Sequence, residues 1–371
     1  MENKRNIGID LLRILLALMV ISIHFNATST GHVSSSVTWM PTKILVYGTD
    51  VLVLPAVNIY VIISGFFSYY LMRPYKKVLF SMLKIWLCLE FYSVGGAIFV
   101  SILSSNSLCY ADIIQKLFPI TTGEWWYMSV YFAIMSISPF LNQAVENFSK
   151  RYNFIFLVAM LVFCSVIPFF TKYEEPFGVN LGYSFIWFIV LYYTGAVMCK
   201  YFPELKNNHF LSLYFLLAIF NVAFSNFTSK SELLRGYSFT KYNSLTLYAQ
   251  AIFLFYYFKN LSIRSPRIIH LISVFSGLSL AAYIFHCQAD IGMTIWKLLN
   301  PSQYADSLLL LPVFVATILS IYFISVVIEY VRRKLFLCGD IEKHLICYIS
   351  NHIQKGVEVL YSKFENIGTK K

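Results

Sequence analysis

Long apolar stretches alternate with short clusters of Lys, Arg, Asn, Pro and Gly along nearly the whole chain. Each stretch runs roughly 17 to 25 residues, the length an α-helix needs to cross a bilayer. About ten can be marked off, beginning near Ile7, Ile44, Val78, Trp125, Asn153, Gly182, Phe210, Asn243, Ile268 and Ser307. Gly292 and Pro301 interrupt the region between the last two. The pattern predicts an all-α polytopic membrane protein whose membrane domain covers residues 1–331. Beyond it, residues 332–371 alternate Ile341, Leu345, Tyr348, Ile349 and His352 with charges, which predicts a basic amphipathic tail lying on the cytoplasmic leaflet.

Composition agrees with a chain whose main solvent is lipid. Hydrophobic residues make up 58% and charged residues 13% of it, and the 34 Phe and 27 Tyr suit lipid-facing surfaces with interfacial anchors. The net charge of +11 then needs a place. With the amino terminus set in the cytoplasm, 21 of the 29 Lys and Arg fall in cytoplasmic segments, seven fall outside and Arg13 lies within a helix. Both termini are therefore expected in the cytoplasm, and the charge reports orientation and anionic lipid, with no need of nucleic acid. The loop near Thr228–Tyr242 runs against this count, since Lys230, Arg235 and Lys241 lie on its outer side. Charged residues within the first span mark it as a retained helix and not a cleaved signal peptide. The seven cysteines show no paired spacing and mostly fall in or beside spans, so they read as small apolar core residues, with neither a disulfide framework nor a metal site expected.

Polar residues inside the spans carry the chemistry, because burying an unpaired charge there costs at least about 2.5 to 3.5 kcal/mol. In the first span Asn6, Asp10, Arg13 and His24 fall within roughly 60° of one another around the helix, one stripe facing the bundle. Asp10 and Arg13 are spaced to pair, either as a structural ion pair or as part of a site. His24 lies about 27 Å along the helix from Asn6, and His286 comes up at a similar depth in the ninth span. Two imidazoles at one level can meet, and Asp290, four residues on, is placed to orient the second or to hold a proton. Glu90, mid-span, calls for a partner such as Arg13 or a polar cavity. Trp125, Trp126 and Tyr127 fit either an outer aromatic belt or a surface on which a sugar ring stacks. Ser64 and Gly65 mark a close helix contact.

The motif RNIGIDLLRILLALMVISIH resembles the opening signature of the membrane-bound acyltransferase-3 family. NIYVIISGFFSYYL, EWWYMSVYFAIMSISPFLN and SLAAYIFHC resemble later segments of the same family, in the same order. The family's Arg-rich stretch here reads RPYKKVLFSMLKIWL, which keeps the positive charge without the usual proline. The resemblance implies a multi-pass protein of the cell membrane, of bacterial plasma-membrane type. It implies O-acyl transfer, with acetyl moving from acetyl-CoA to a hydroxyl of a cell-surface or exported polysaccharide or its lipid-linked precursor. The acyl-CoA would be a donor substrate, with no tightly bound cofactor; the other partners would be the carbohydrate acceptor and membrane lipid. His24, His286, Asp10 and Arg13 would form the catalytic set, and imidazole suits either base or nucleophile. Arg5, Arg73, Lys76 and Lys77 would meet the donor's phosphates, with Glu90, Trp125, Trp126 and Tyr127 on the substrate path. A transporter or flippase, or a polymerase, of lipid-linked saccharides is the alternative for a polytopic protein with intramembrane charges.

Overall fold

The computed structural model describes residues 5–72, 74–104, 110–171, 177–231, 237–337, 344, 346–353 and 355–356. Among them there are helices and no strand. In chain order the helices are α1 (Ile7–Asn26), α2 (Val33–Ser36), α3 (Met40–Val53), α4 (Pro55–Leu71), α5 (Tyr75–Ser104), α6 (Tyr110–Lys116), α7 (Trp126–Asn147) and α8 (Lys150–Leu161). They continue with α9 (Ile167–Thr171), α10 (Phe185–Tyr201), α11 (Phe210–Lys230), α12 (Leu245–Lys259), α13 (Pro266–Leu278), α14 (Leu280–Cys287), α15 (Ala289–Leu299) and α16 (Leu310–Leu337). Among the described residues, eight helical stretches are long and apolar enough to cross a membrane. The other two expected spans are the shorter helices α10 and α12, of 17 and 15 residues. The chain is a multi-pass membrane protein.

Helix boundaries follow local chemistry. Asn6 caps α1 by accepting from the Ile9 amide, Ser184 caps α10 through Trp187, and Pro55 and Pro266 occupy first turns, where a missing N–H costs nothing. Without a hydrophobic force between helices in lipid, close packing has to come from small residues. Gly65 of α4 lies against α10, where a methyl group would stand 2.0 Å from the Tyr192 carbonyl oxygen, and Gly195 of α10 meets the Ile62 carbonyl in the same way. The expected close contact at Gly65 is therefore the α4–α10 seam. Gly8 does the same for α1, under the Phe258 carbonyl of α12.

Basic residues gather at one end of the bundle. The Asn6 amide donates to the Lys259 carbonyl, Lys259 approaches Glu204, and Tyr256 bonds the Phe202 carbonyl beyond the end of α10. Lys150 lies over the rings of Tyr201 and Phe202 at the same end. Helix α16 runs unbroken through position 331 to Leu337, and its Arg332 is buried in a bidentate pair with Glu329. Of the tail's apolar positions, Tyr348, Ile349 and His352 fall in a helical stretch; Ile341, Leu345 and also Arg73 lie outside the described residues.

Candidate functional site

Helix α1 carries two polar centres. At its first turn Asp10, only 1% exposed, accepts from Arg5, from Arg13 at 3.1 Å and from the Ser276 hydroxyl at 3.1 Å. Arg5 also donates to the Ser273 carbonyl, and Arg333 donates to the Gly277 carbonyl one turn further along α13. Arg5 and Arg333 thus bond carbonyls of α13, and Arg13 is linked to the same helix through Asp10 and Ser276; the side chains of Arg5, Arg333 and Arg13 are 52%, 40% and 38% exposed. Arg333 was not singled out by the sequence pattern, which left it in the tail. Lys76 and Lys77 are exposed at the start of α5.

The second centre lies eleven residues from Arg13, about 16 Å along the helix. There Nδ1 of His24 stands 2.7 Å from Nε2 of His286, so the two histidines expected at matching depth are in contact. His286 is buried, and its Nδ1 bonds the Ala282 carbonyl one turn back in its own helix. A carbonyl only accepts, so Nδ1 of His286 carries a proton, and in the neutral ring Nε2 is the lone pair. His24 must then donate through Nδ1, which leaves its own Nε2 unprotonated and outside the contact between the rings. A turn closes over His24, whose carbonyl accepts from the Gly31 amide at 2.9 Å and from the Thr30 hydroxyl.

Asp290 does not orient His286. The helix ends at Cys287, because Gln288 turns to an extended backbone and caps α15 through the Ile291 amide. The i,i+4 register between 286 and 290 is lost there. Asp290 instead pairs with Lys116 at 2.7 Å, and Lys116 also pairs with Glu124 at 2.7 Å. Gln288 donates to both carboxylates and Ser93 to Glu124. Burial works against ionisation of Asp290, yet the hydrogen bonds from Lys116 and Gln288 hold its carboxyl below the ordinary value. Burial likewise opposes the Lys116 charge, and its bonds to Asp290 and Glu124 raise its pKa nonetheless. Gly292 lets α15 close onto the site, since a methyl group there would stand 2.6 Å from the His286 carbonyl oxygen.

The aromatic residues divide. Trp125 is 1% exposed and donates its indole N–H to the Ile284 carbonyl at 3.0 Å, so it is a buried support for α14 and not part of an interfacial belt. Trp126 packs against Tyr183 with ring centroids 4.5 Å apart, and Tyr127 against Tyr283, which leads on to His286. Glu90 takes a hydrogen bond from Trp86 and has one buried oxygen without a partner; Arg13 bonds Asp10 instead. A cavity of 440 Å³ borders α1 on another side, walled by Leu15, Met19, Tyr214, Phe258 and Phe314, and it contains neither histidine.

One further residue joins the histidines. The sulfur of Cys287 lies 3.2 Å from Nδ1 of His24 and 3.4 Å from Nε2 of His286. By residue type, His24, His286 and Cys287 could hold a metal ion, since their ligand atoms lie within 4.8 Å of one another. The spacing suits a hydrogen bond better. Two nitrogens on a tetrahedral zinc stand about 3.3 Å apart, whereas the two rings are at 2.7 Å. The spacing of cysteines gave no hint of this thiol; its position next to His286 was the only signal.

A polytopic helical bundle with two imidazoles in contact within it and basic residues gathered at one end agrees with the membrane acyltransferase that the motifs resemble. The family model described as an acyltransferase domain matches residues 6–330, and the chain belongs to this acyltransferase-3 family. No curated protein and no solved structure matches it. Family membership sets aside the carrier and polymerase alternatives.

Proposed function

We propose that this membrane acyltransferase moves acetyl from acetyl-CoA to a hydroxyl of a cell-surface or exported polysaccharide or its lipid-linked precursor, in the plasma membrane of a bacterium. The observation that carries the reading is the 2.7 Å contact between His24 and His286, with the far nitrogen of His286 tied to the Ala282 carbonyl. It leaves Nε2 of His24 free to take a proton from the acceptor hydroxyl. His286 orients the ring and receives the Nδ1 proton's hydrogen bond as charge builds on His24.

The remaining roles follow from position. Arg5, Arg13 and Arg333 bind the phosphates of the acyl-CoA, with Lys76 and Lys77 as exposed attraction at the same end. Asp10 is saturated by two arginines and a serine and lies about 21 Å along α1 from His24, so it positions the phosphate-binding guanidiniums and does not touch the transferred group. Trp126 and Tyr183 are a stacking surface for the acceptor sugar, a few residues from the Tyr127–Tyr283 pair that borders His286. The donor enters from the basic end, which supports a cytoplasmic amino terminus.

The test is transfer of label from radiolabelled acetyl-CoA to envelope polysaccharide in membranes holding equal amounts of wild type, His24→Ala or His286→Ala. Loss of label with His24→Ala is the expected result. Full labelling by that variant removes the base assigned here, and absence of labelling by wild type removes the donor.

A further inference from the structure

Cys287 closes α14 beside the two imidazoles, with both proton-sharing nitrogens of the pair turned toward its sulfur at 3.2 and 3.4 Å. A cysteine that only fills space needs an apolar hole. Cys164 and Cys199 fit that description, as buried members of the main apolar cluster. Cys287 is instead placed where a thiol proton has an acceptor and a thiolate has a donor, the arrangement that activates a cysteine nucleophile.

We propose that Cys287 is a catalytic residue that carries the acyl group as a thioester between donor and acceptor. This rests on the acyl-transfer reading above and specifies its route. In the first half, the Nδ1–H of His24 shifts its hydrogen bond from Nε2 of His286 to the sulfur, and the thiol proton passes to the Nε2 so freed. The sulfur bonds to the acyl carbonyl carbon, the bond from that carbon to the CoA sulfur breaks, and CoA leaves with the proton from His286. In the second half, the acceptor hydroxyl gives its proton to Nε2 of His24 and its oxygen bonds to the acyl carbon. The bond to Cys287 then breaks and the sulfur regains a proton from the imidazole pair. One thioester replaces another in the first half, so no oxidant, metal or further reactant is required. The carrier also divides the task in space: the donor can leave before the acceptor hydroxyl reaches His24.

The experiment uses the full chain purified in detergent, with wild type, Cys287→Ala and Cys287→Ser compared at matched elution as a single species. Serine keeps the side chain's size and hydrogen bonding, so a thiol with a merely structural role tolerates it. Without acceptor, wild type is expected to exchange labelled CoA into acetyl-CoA and to retain acetyl label after denaturation, released by neutral hydroxylamine and mapped by peptide sequencing to Cys287. Both variants are expected to lose that label and the exchange, and to fall on the order of 100-fold or more in transfer to acceptor. Wild-type exchange that persists in Cys287→Ala, or label mapped to His24 or His286, overturns the carrier while leaving acyl transfer intact. Wild type that transfers no acetyl to any acceptor overturns the acyl-transfer reading and the carrier with it.

Discussion

The imidazole pair makes a quantitative demand that a double-mutant cycle can meet. Removing His286 as Ala takes from the Nδ1–H of His24 its nitrogen acceptor and leaves it only the weak sulfur acceptor of Cys287 at 3.2 Å, a loss of about 1 to 3 kcal/mol for a donor deprived of its hydrogen bond. At about 1.36 kcal/mol per decade this is roughly a 5- to 160-fold fall in kcat through orientation alone. It is a floor, because His286 also holds a proton if Cys287 carries the acyl group. Removing His24 deletes the base and is expected to cost about 10²- to 10⁴-fold. With the base gone, the orientation that His286 provides has nothing to act on, and its proton transfer with Cys287 in the first half is hidden behind the slowed second half. The His24→Ala, His286→Ala double variant should therefore be no more than a few-fold slower than His24→Ala, a strong departure from additivity. The assay is initial-rate acetyl transfer at saturating acetyl-CoA, with protein amounts matched by quantitative blotting. Losses that multiply would mean that the two rings act independently, and the 2.7 Å contact would then have no part in the chemistry.

Three more outcomes follow. Arg13→Ala should raise KM for acetyl-CoA by about 10-fold, the loss of a charge-assisted phosphate contact, and should make no difference with acetyl-pantetheine, which lacks the nucleotide; an equal effect on both donors counts against phosphate binding. Gly65→Ala forces a methyl group to within 2.0 Å of the Tyr192 carbonyl oxygen, so the α4–α10 seam must part at a cost of about 1 to 3 kcal/mol, read as a lowered unfolding temperature in detergent; an unchanged temperature refutes the packing argument. The Lys116–Asp290 pair should stabilise the protein from acid to alkaline pH. The lowered Asp290 pKa gives a contribution present above its ordinary value of 3.8 and lost as pH falls through the folded value. The raised Lys116 pKa gives one present below 10.5 and lost as pH rises through its folded value. The difference in unfolding temperature between wild type and Asp290→Asn should hold constant from about pH 5 to 9, and a difference that fades near neutral pH is incompatible with the pairing.

Much of this was readable in the chain because the signals were local. Asn6, Asp10, Arg13 and His24 share a helix face by the 3.6-residue period alone, and His24 and His286 come to one depth by counting from the ends of their spans. The helix break at Gln288 was not readable. It depends on Glu124 arriving from a distant segment to accept, beside Asp290, from the Gln288 amide, and on Lys116 pairing with both carboxylates, and no periodicity within 280–299 encodes that. For the same reason Trp125 looked interfacial. An indole flanked by Glu and Trp at a span's start has the composition of a belt, and only the Ile284 carbonyl shows that its N–H is spent inside. Arg333 escaped notice because a basic cluster after an apolar run reads as anchoring, whereas α16 continues and turns one guanidinium onto α13.

The break at Gln288 bears directly on the chemistry. Had α14 continued, Asp290 would lie one turn beyond His286, where a carboxylate could bond an imidazole nitrogen and favour its protonated form. Ending the helix removes that carboxylate to Lys116 and leaves the His286 ring with a neutral carbonyl on one side and His24 on the other. A carbonyl fixes the tautomer without contributing a charge, so His24 keeps an unprotonated Nε2 as the free nitrogen of the pair. The same turn brings α15 against the His286 carbonyl through Gly292, and the Thr30–Gly31 turn ties down the His24 carbonyl, so both histidines are fixed from the backbone. Lys116, Glu124, Gln288 and Asp290 therefore set the path of the helix that holds His286 and Cys287.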